Sequence, residues 1–596
     1  MSVFDKEMNM NPSRFLLAVL LCIAMVCLPA AAATYYVASQ DPKADDTNAG
    51  TEAAPFKAIN AAIKGLKPGD TLLIKGGTYR ESIRLGPDQG FPSGKSYQEM
   101  ITFAAYPGQT PVIKGSEILT GWKQHKDAIW YTENAPAKPK ALPIVYCDGK
   151  HMEILSDWGG EMSDMMKRIS GSAEVWKGKT DGKLEDLKAG WYFYDKDAKR
   201  LYVWLPDGSD PRKHLMEIAA SGGCEIGVSY VKFSGLTILQ SSLGVGGNHN
   251  IVENCESSDA SWGGCGVYGE FNTIVGCKFN RCGDSGMGGS GRGHRIINCE
   301  TSYNNFLKIN AAWHAGGCKF IPFCSDIVIS GHVAAYNVRS PGIWFDWGNF
   351  NITIENSICH HNGNAGGIMY EVSERGTFRN NICYDNYGRG IFLSNSSDCQ
   401  VLNNVFWHNG MCGVEMVDYG RPGGEFGEGE KLLLPSRNNV IWGNIFVDNC
   451  HPDFTPTDPD GRPEKGWEAR PELAMSPEAQ FNTGNISDYN IFFRGSNRVL
   501  PFCKGGVLSA DIYNSNLADW QKKTGFDLHS IVAEPLFVDA ARFDFRPAKG
   551  SPAIDFVKPR MGAVYDMYGK LRPMQERKDK KPLRFTAGPF EVEGKK

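Results

Sequence analysis

Through the middle of the chain, short apolar runs alternate with Asn and Gly at a nearly constant interval. A glycine followed by an apolar residue recurs at Gly244-Val245, Gly266-Val267, Gly286-Met287, Gly317-Cys318, Gly342-Ile343, Gly367-Ile368, Gly390-Ile391 and Gly413-Val414, in steps of 22, 20, 31, 25, 25, 23 and 23 residues. A second column, an Asn closing short strands, runs Asn337, Asn362, Asn386, Asn409 and Asn449, in steps of 25, 24, 23 and 40. An insertion around Arg421 to Arg437 enlarges the last step. Each unit carries two or three β-rich pieces, such as Asn351-Ile352-Thr353-Ile354 or Val401-Leu402, and none carries a helical stretch long enough for a βαβ crossover. Strands this short bury their apolar side only by stacking on the next unit. The pattern predicts an all-β chain wound as a right-handed parallel β-helix.

The pattern changes at the ends and once near the start. Pro55 to Leu66 reads as a short amphipathic helix and Thr71 to Lys75 as a strand, so the helix would cap the open edge of the first coils. Between Gly121 and Glu217 the coil period disappears. Gly190 to Trp204 (GWYFYDKDAKRLYVW) reads as a β-hairpin turning at Asp195 to Lys199, which makes this stretch an inserted, mostly antiparallel β-module. Pro452 to Asn482, rich in Pro, Asp and Glu, reads as a long surface excursion. At the start, Arg14, an apolar run from Phe15 to Leu28, Pro29 and Ala30 to Ala33 form a secretory signal with cleavage after Ala33. The run is too short to span a bilayer comfortably. The expected organisation is a signal peptide at 1–33, the cap and first coils at 34–118, the module at 119–220, the main β-helix at 221–560 and a C-terminal tail at 561–596. Export to the periplasm or outside the cell follows, with no membrane span after cleavage.

Composition narrows the partners. The 596 residues carry a formal net charge of −4 and no basic stripe, which argues against nucleic acid. Of seventeen Cys, Cys22 and Cys27 leave with the signal, and the remaining odd number includes no C-x-x-C pair. Cys255, Cys277 and Cys299 recur every 22 residues, and Cys359 and Cys383 stand 24 apart. They read as small apolar residues stacked inside the solenoid, not as a disulfide framework or zinc site. No cofactor and no metal is implied.

Aligned on the glycine column, Gly317-Cys318-Lys319-Phe320-Ile321 is followed by Gly342-Ile343-Trp344-Phe345-Asp346, Gly367-Ile368-Met369-Tyr370-Glu371, Gly390-Ile391-Phe392-Leu393-Ser394 and Gly413-Val414-Glu415-Met416-Val417. Second and fourth positions are apolar or aromatic through Ile343 and Phe345, Ile368 and Tyr370, and Ile391 and Leu393, and so face inward. Third and fifth positions face outward, which places Asp346 and Glu371 in one outward column on adjacent coils, with backbones about 4.8 Å apart. Like charges stacked this way destabilise an idle surface. A general acid/base pair can use them, since mutual repulsion would keep one carboxyl protonated near neutral pH. Trp344 and Trp347 stand beside the pair as candidate sugar-stacking rings. One coil earlier, His314 and Lys319 are candidate substrate contacts.

The opening Tyr35-Tyr36-Val37, Gly50-Thr51, Pro55-Phe56 and Ala58-Ile59, and the closing Pro535-Leu536-Phe537-Val538-Asp539 and Gly550-Ser551-Pro552-Ala553-Ile554-Asp555, resemble the first and last coils of secreted β-helix proteins that act on polysaccharides. Lyases, hydrolases and epimerases share that fold. Trp344-Phe345-Asp346 and Tyr370-Glu371, together with the inserted module, resemble family 120 glycoside hydrolases, the β-xylosidases, and more loosely family 141. The resemblance implies a retaining glycosidase with Asp346 as nucleophile and Glu371 as acid/base, acting on an oligo- or polysaccharide. Two rivals remain: a lyase with Lys319, Arg375 or Arg389 as base, and a non-catalytic carbohydrate-binding protein.

Overall fold

The computed structural model describes residues 32–136, 143–155, 182–220, 223–309, 314–363, 365–417, 436–449, 473–475, 484–495, 502–504, 512–513, 516–560, 563–573 and 582–592. Most of the predicted signal, of the insertion around Arg421 to Arg437 and of the Pro452 to Asn482 excursion lies outside the described residues.

The chain winds as a right-handed parallel β-helix. Among the described residues, two faces are sheets of thirteen strands, and the third is split into runs of four and eight. Successive coils pair in parallel and in register, apart from the final antiparallel pair Phe502–Lys504 with Ile512–Tyr513. The inward positions Ile343, Phe345, Ile368, Tyr370, Ile391 and Leu393 are fully buried in one continuous core. The cysteine column lies there too: Cys255, Cys277, Cys299, Cys359 and Cys383 are buried and unpaired.

The Gly and Asn columns are two halves of one device. Each buried Asn accepts the backbone N–H of its counterpart one coil earlier, from Asn337 onto Asn362 Oδ1 (3.4 Å) to Asn409 onto Asn449 Oδ1 (3.1 Å). Its amide nitrogen closes over the neighbouring glycine. A Cβ on Gly342 would lie 2.8 Å from Asn362 Nδ2 and 2.7 Å from the Gly367 carbonyl oxygen, so only glycine fits. The register corrects the glycine column at one point. Gly266 pairs with Gly288, not Gly286, and Cys265 pairs with Met287. Gly244, Gly266 and Gly288 therefore belong to the outward column that continues as Lys319 and Trp344.

The chain leaves the solenoid after strand Pro111–Lys114 and re-enters at Cys224–Ile226, which stacks directly on Ile83–Leu85. Between them lie a four-stranded antiparallel sheet and a mostly antiparallel five-stranded one. The hairpin Trp191–Asp195 with Arg200–Trp204 pairs through all five residues. Glu217, on strand Met216–Ala219, binds Arg80 (2.6 Å), Lys114 (2.8 Å) and Gln240 (3.1 Å), and so ties the module to the coils beneath.

At the N-terminal end the helix is shorter than Pro55 to Leu66. It spans Ile59–Ala62 with a 3-10 turn after it, because Asp46 and Glu81 accept the N–H groups of residues 57 to 60 and fix its start. At the other end, helix Leu517–Thr524 seats Leu517 and Trp520 on the last coils. The closing segments are not coils. Phe537–Asp539 and Asp544–Pro547 form an antiparallel ribbon packed on the third face. Among the described residues after 561, fully buried Arg572 binds Glu591 (2.9 Å) and Asn380 (3.1 Å), tying this segment to the coils.

Candidate functional site

The outward column sets the shape of the site. Gly244, Gly266 and Gly288 leave no side chains over three coils, and a cleft of about 390 Å³ opens there, walled by Trp262, Tyr268, Asp284 and His314. A side chain on Gly288 would meet the Lys319 carbonyl oxygen at 2.5 Å. Lys319, next in the column, closes the cleft.

Lys319 links the cleft to the carboxylate pair. Its ammonium lies 3.2 Å from Asp346 Oδ2 and 3.3 Å from the centroid of the Trp344 ring. Burial pushes this ammonium down from its usual range, against the opposing pull of Asp346, Glu371 and Asp284. Asp346 and Glu371 are direct partners on adjacent strands, Ile343–Asp346 and Gly366–Glu371. Neither lies on the cleft wall, and both are largely covered: the Asp346 side chain is 13% exposed and Glu371 is 5% exposed.

The other candidates divide. His314 stands on the cleft wall, its Nδ1 2.9 Å from Asp284 Oδ1, beside Trp262. Trp344 does not offer a ring to a sugar. It is 1% exposed, packs with Met369, Phe392 and Val417 in a cluster outside the solenoid core, and has Lys319 over its face. Trp347 is half-buried; its backbone N–H donates to the Glu371 carbonyl at 3.1 Å, and its left-handed φ of 69° turns the chain just after Asp346. Of the rival bases, Arg389 is buried against Glu415, and Arg375 lies over the exposed Phe350 ring.

Sequence reasoning missed Asp284. It is buried, holds His314 and bears on Lys319. The corresponding positions two before each glycine hold Ala315, Ser340, Ala365, Gly388 and Met411, so one carboxylate in that column was the available signal. Among the described residues, two buried polar atoms around the pair have no hydrogen-bond partner: Trp344 Nε1, and the hydroxyl of Ser394, which stacks on Glu371. Such groups are rare in folded proteins and call for a ligand or water.

The class defined by the fold is the right-handed β-helix protein. Residues 295–451 match the right handed beta helix region family, and residues 43–116 match a protein family of unknown function, DUF1565. No curated protein matches the chain by sequence. Among solved structures, XylC in complex with xylose is similar at 15% identity, covering 94% of this chain and 99% of that one, with a TM-score of 0.61. A glycoside hydrolase is similar at 12% identity (79% and 94% covered, TM-score 0.43), and pectate lyase Pel9A at 13% (94% and 97%, 0.42). At these identities the likeness is one of fold.

Proposed function

We propose that this protein is an exported glycoside hydrolase that cleaves a plant- or algal-type oligo- or polysaccharide by a retaining, two-carboxylate mechanism. The observation that carries the reading is the pairing of Asp346 with Glu371 on adjacent coils, beside Lys319. Retaining enzymes place their two carboxyls roughly 5–5.5 Å apart, and inverting ones about 6.5–9.5 Å. Stacked strands start from about 4.8 Å, which favours direct attack by one carboxylate. An ammonium at 3.2 Å from Asp346 pairs with its carboxylate and suits it to be the nucleophile. Glu371, more deeply covered, then protonates the leaving oxygen and afterwards activates water. The glycine-floored cleft would hold sugar units beyond the cleaved bond, with His314 and Asp284 as polar contacts. The wound fold shared with a xylose complex is compatible with a pentose or similar substrate.

One observation favours a second reading. A buried lysine with a lowered pKa is the kind of base a lyase uses. Against it stand Asp284, Asp346 and Glu371, whose charge around Lys319 repels a uronate unless a cation intervenes. Nitrophenyl glycosides (xyloside, fucoside, galactoside and arabinoside first) and uronic-acid polymers separate the two. Release of nitrophenol, abolished by Asp346→Asn, is expected. Growth of ultraviolet absorbance from an unsaturated end would establish the lyase instead.

A further inference from the structure

We propose that Cys147, Asp148 and His214 form a site for a zinc-class divalent transition metal on the inserted module. The residues come from two separate parts of the chain. Val145–Cys147 and Lys150–His151 are the arms of a tight antiparallel hairpin whose turn, Asp148 and Gly149, is left-handed at φ 49° and 79°. His214 follows the short turn Pro211–Lys213, and the next strand pairs Met216 with Cys147. That pairing brings His214 back over the hairpin tip. The sulfur, a carboxylate oxygen and an imidazole nitrogen all lie within 4.8 Å of one another.

Thiolate, imidazole and carboxylate are the ligands zinc takes, at about 2.3, 2.0–2.1 and 2.0–2.2 Å, so tetrahedral ligands stand roughly 3.5 Å apart. Donors already inside 4.8 Å need only small rotations to reach that spacing. The imidazole is held ready: Nδ1 is 2.7 Å from Asp148 Oδ2 and Nε2 is 2.7 Å from Ser209 Oγ, itself 2.6 Å from Asp207. A metal takes the place of the proton at one ring nitrogen, and the hydrogen bond at the other remains as the outer support that metal-bound histidines use. As the metal binds, the Cys147 thiol gives its proton to solvent, and the thiolate and the Asp148 carboxylate balance a doubly charged ion. The sulfur donor selects against calcium and magnesium. Access is open, since Cys147 is half-buried, whereas Cys224, Cys255, Cys277 and Cys299 are buried.

The site would brace the edge by which the module sits on the β-helix. Tyr146, beside Cys147, donates to the Asp259 carbonyl at 2.8 Å, and His151 stacks on Phe306 at 4.1 Å. No part of this depends on the glycosidase reading.

The test uses the mature protein stripped with EDTA and then freed of the chelator. Zn²⁺ should bind saturably, and a hundredfold excess over Kd should raise Tm by a few degrees. Co²⁺ should give a thiolate charge-transfer band that Cys147→Ser removes. Zn²⁺ should also slow iodoacetamide alkylation of wild-type Cys147, mapped by mass spectrometry, at least tenfold; this readout decides if the variants fail to fold. An unchanged alkylation rate at Cys147, or Zn²⁺ binding equal in wild type and a folded Cys147→Ser, His214→Ala variant, overturns the proposal.

Discussion

Asn386 serves three coils with one side chain. Its amide donates to the Cys359 carbonyl and to Asn409 Oδ1, both at 2.9 Å, and its oxygen accepts the Asn362 backbone N–H at 3.2 Å. Asn386→Ala strands buried groups that cost about 1–3 kcal/mol each, so urea unfolding should show a loss of roughly 3 kcal/mol. A loss below about 1 kcal/mol would show that the ladder is dispensable. Lys319 gives a second prediction at this scale. Its folded-state pKa is lowered, so its ammonium is lost at lower pH than an ordinary lysine's. If that charge supports Asp346, kcat/KM falls on an alkaline limb below the usual lysine range, and Lys319→Arg moves the limb upward. The linkage to stability has the same origin. The cost of burying the ammonium is full below the folded pKa and fades as pH rises towards 10.5, because there the unfolded chain binds more protons. The carboxylate pair was legible because strand alternation and coil period fix both the face and the row of a residue. Trp344 was misread for the same reason: its outward direction is real, but outward from the solenoid core is not outward to solvent where a second apolar cluster covers the sheet.

Among the elements, the joint at Glu217 gathers two cations around one buried carboxylate. Burial would raise this carboxyl's pKa, but Lys114, Arg80 and Gln240 hold it below its usual range. Glu217→Ala leaves two cations without their partner at the base of the module, and a loss of roughly 3–5 kcal/mol is expected by denaturant titration. Because the folded pKa is lowered, the stabilisation is present above the ordinary glutamate pKa of 4.5 and is lost as pH falls through the folded value. A variant melting like wild type at neutral pH would contradict this role. The hairpin Trp191–Asp195 with Arg200–Trp204 was legible from its alternation. Helix Leu517–Thr524 was not, since only Leu517 and Trp520 face the core and two apolar residues make no period. The glycine column misled at Gly266, where the step to Gly286 is 20 residues but the coil closes in 22.

At the scale of the whole molecule, the β-helix was written in the sequence because the central coils repeat the same small solution: apolar in, Asn and Gly at the corners. What joins distant segments was not. The cleft needs three glycines from one column and His314 and Asp284 from other positions, and the metal ligands lie 66 residues apart at Asp148 and His214. The proposed export of the chain predicts a mature N-terminus near Thr34 in the native host; uncleaved, cell-associated protein found by N-terminal sequencing would refute it. The central proposal, hydrolysis by Asp346 and Glu371 through a covalent glycosyl-enzyme, is tested most directly by proton NMR of the first-formed sugar. Adjacent-coil carboxyls predict that the product appears with the anomeric configuration of the substrate and only later mutarotates. Product appearing first with the opposite configuration would contradict direct attack by Asp346.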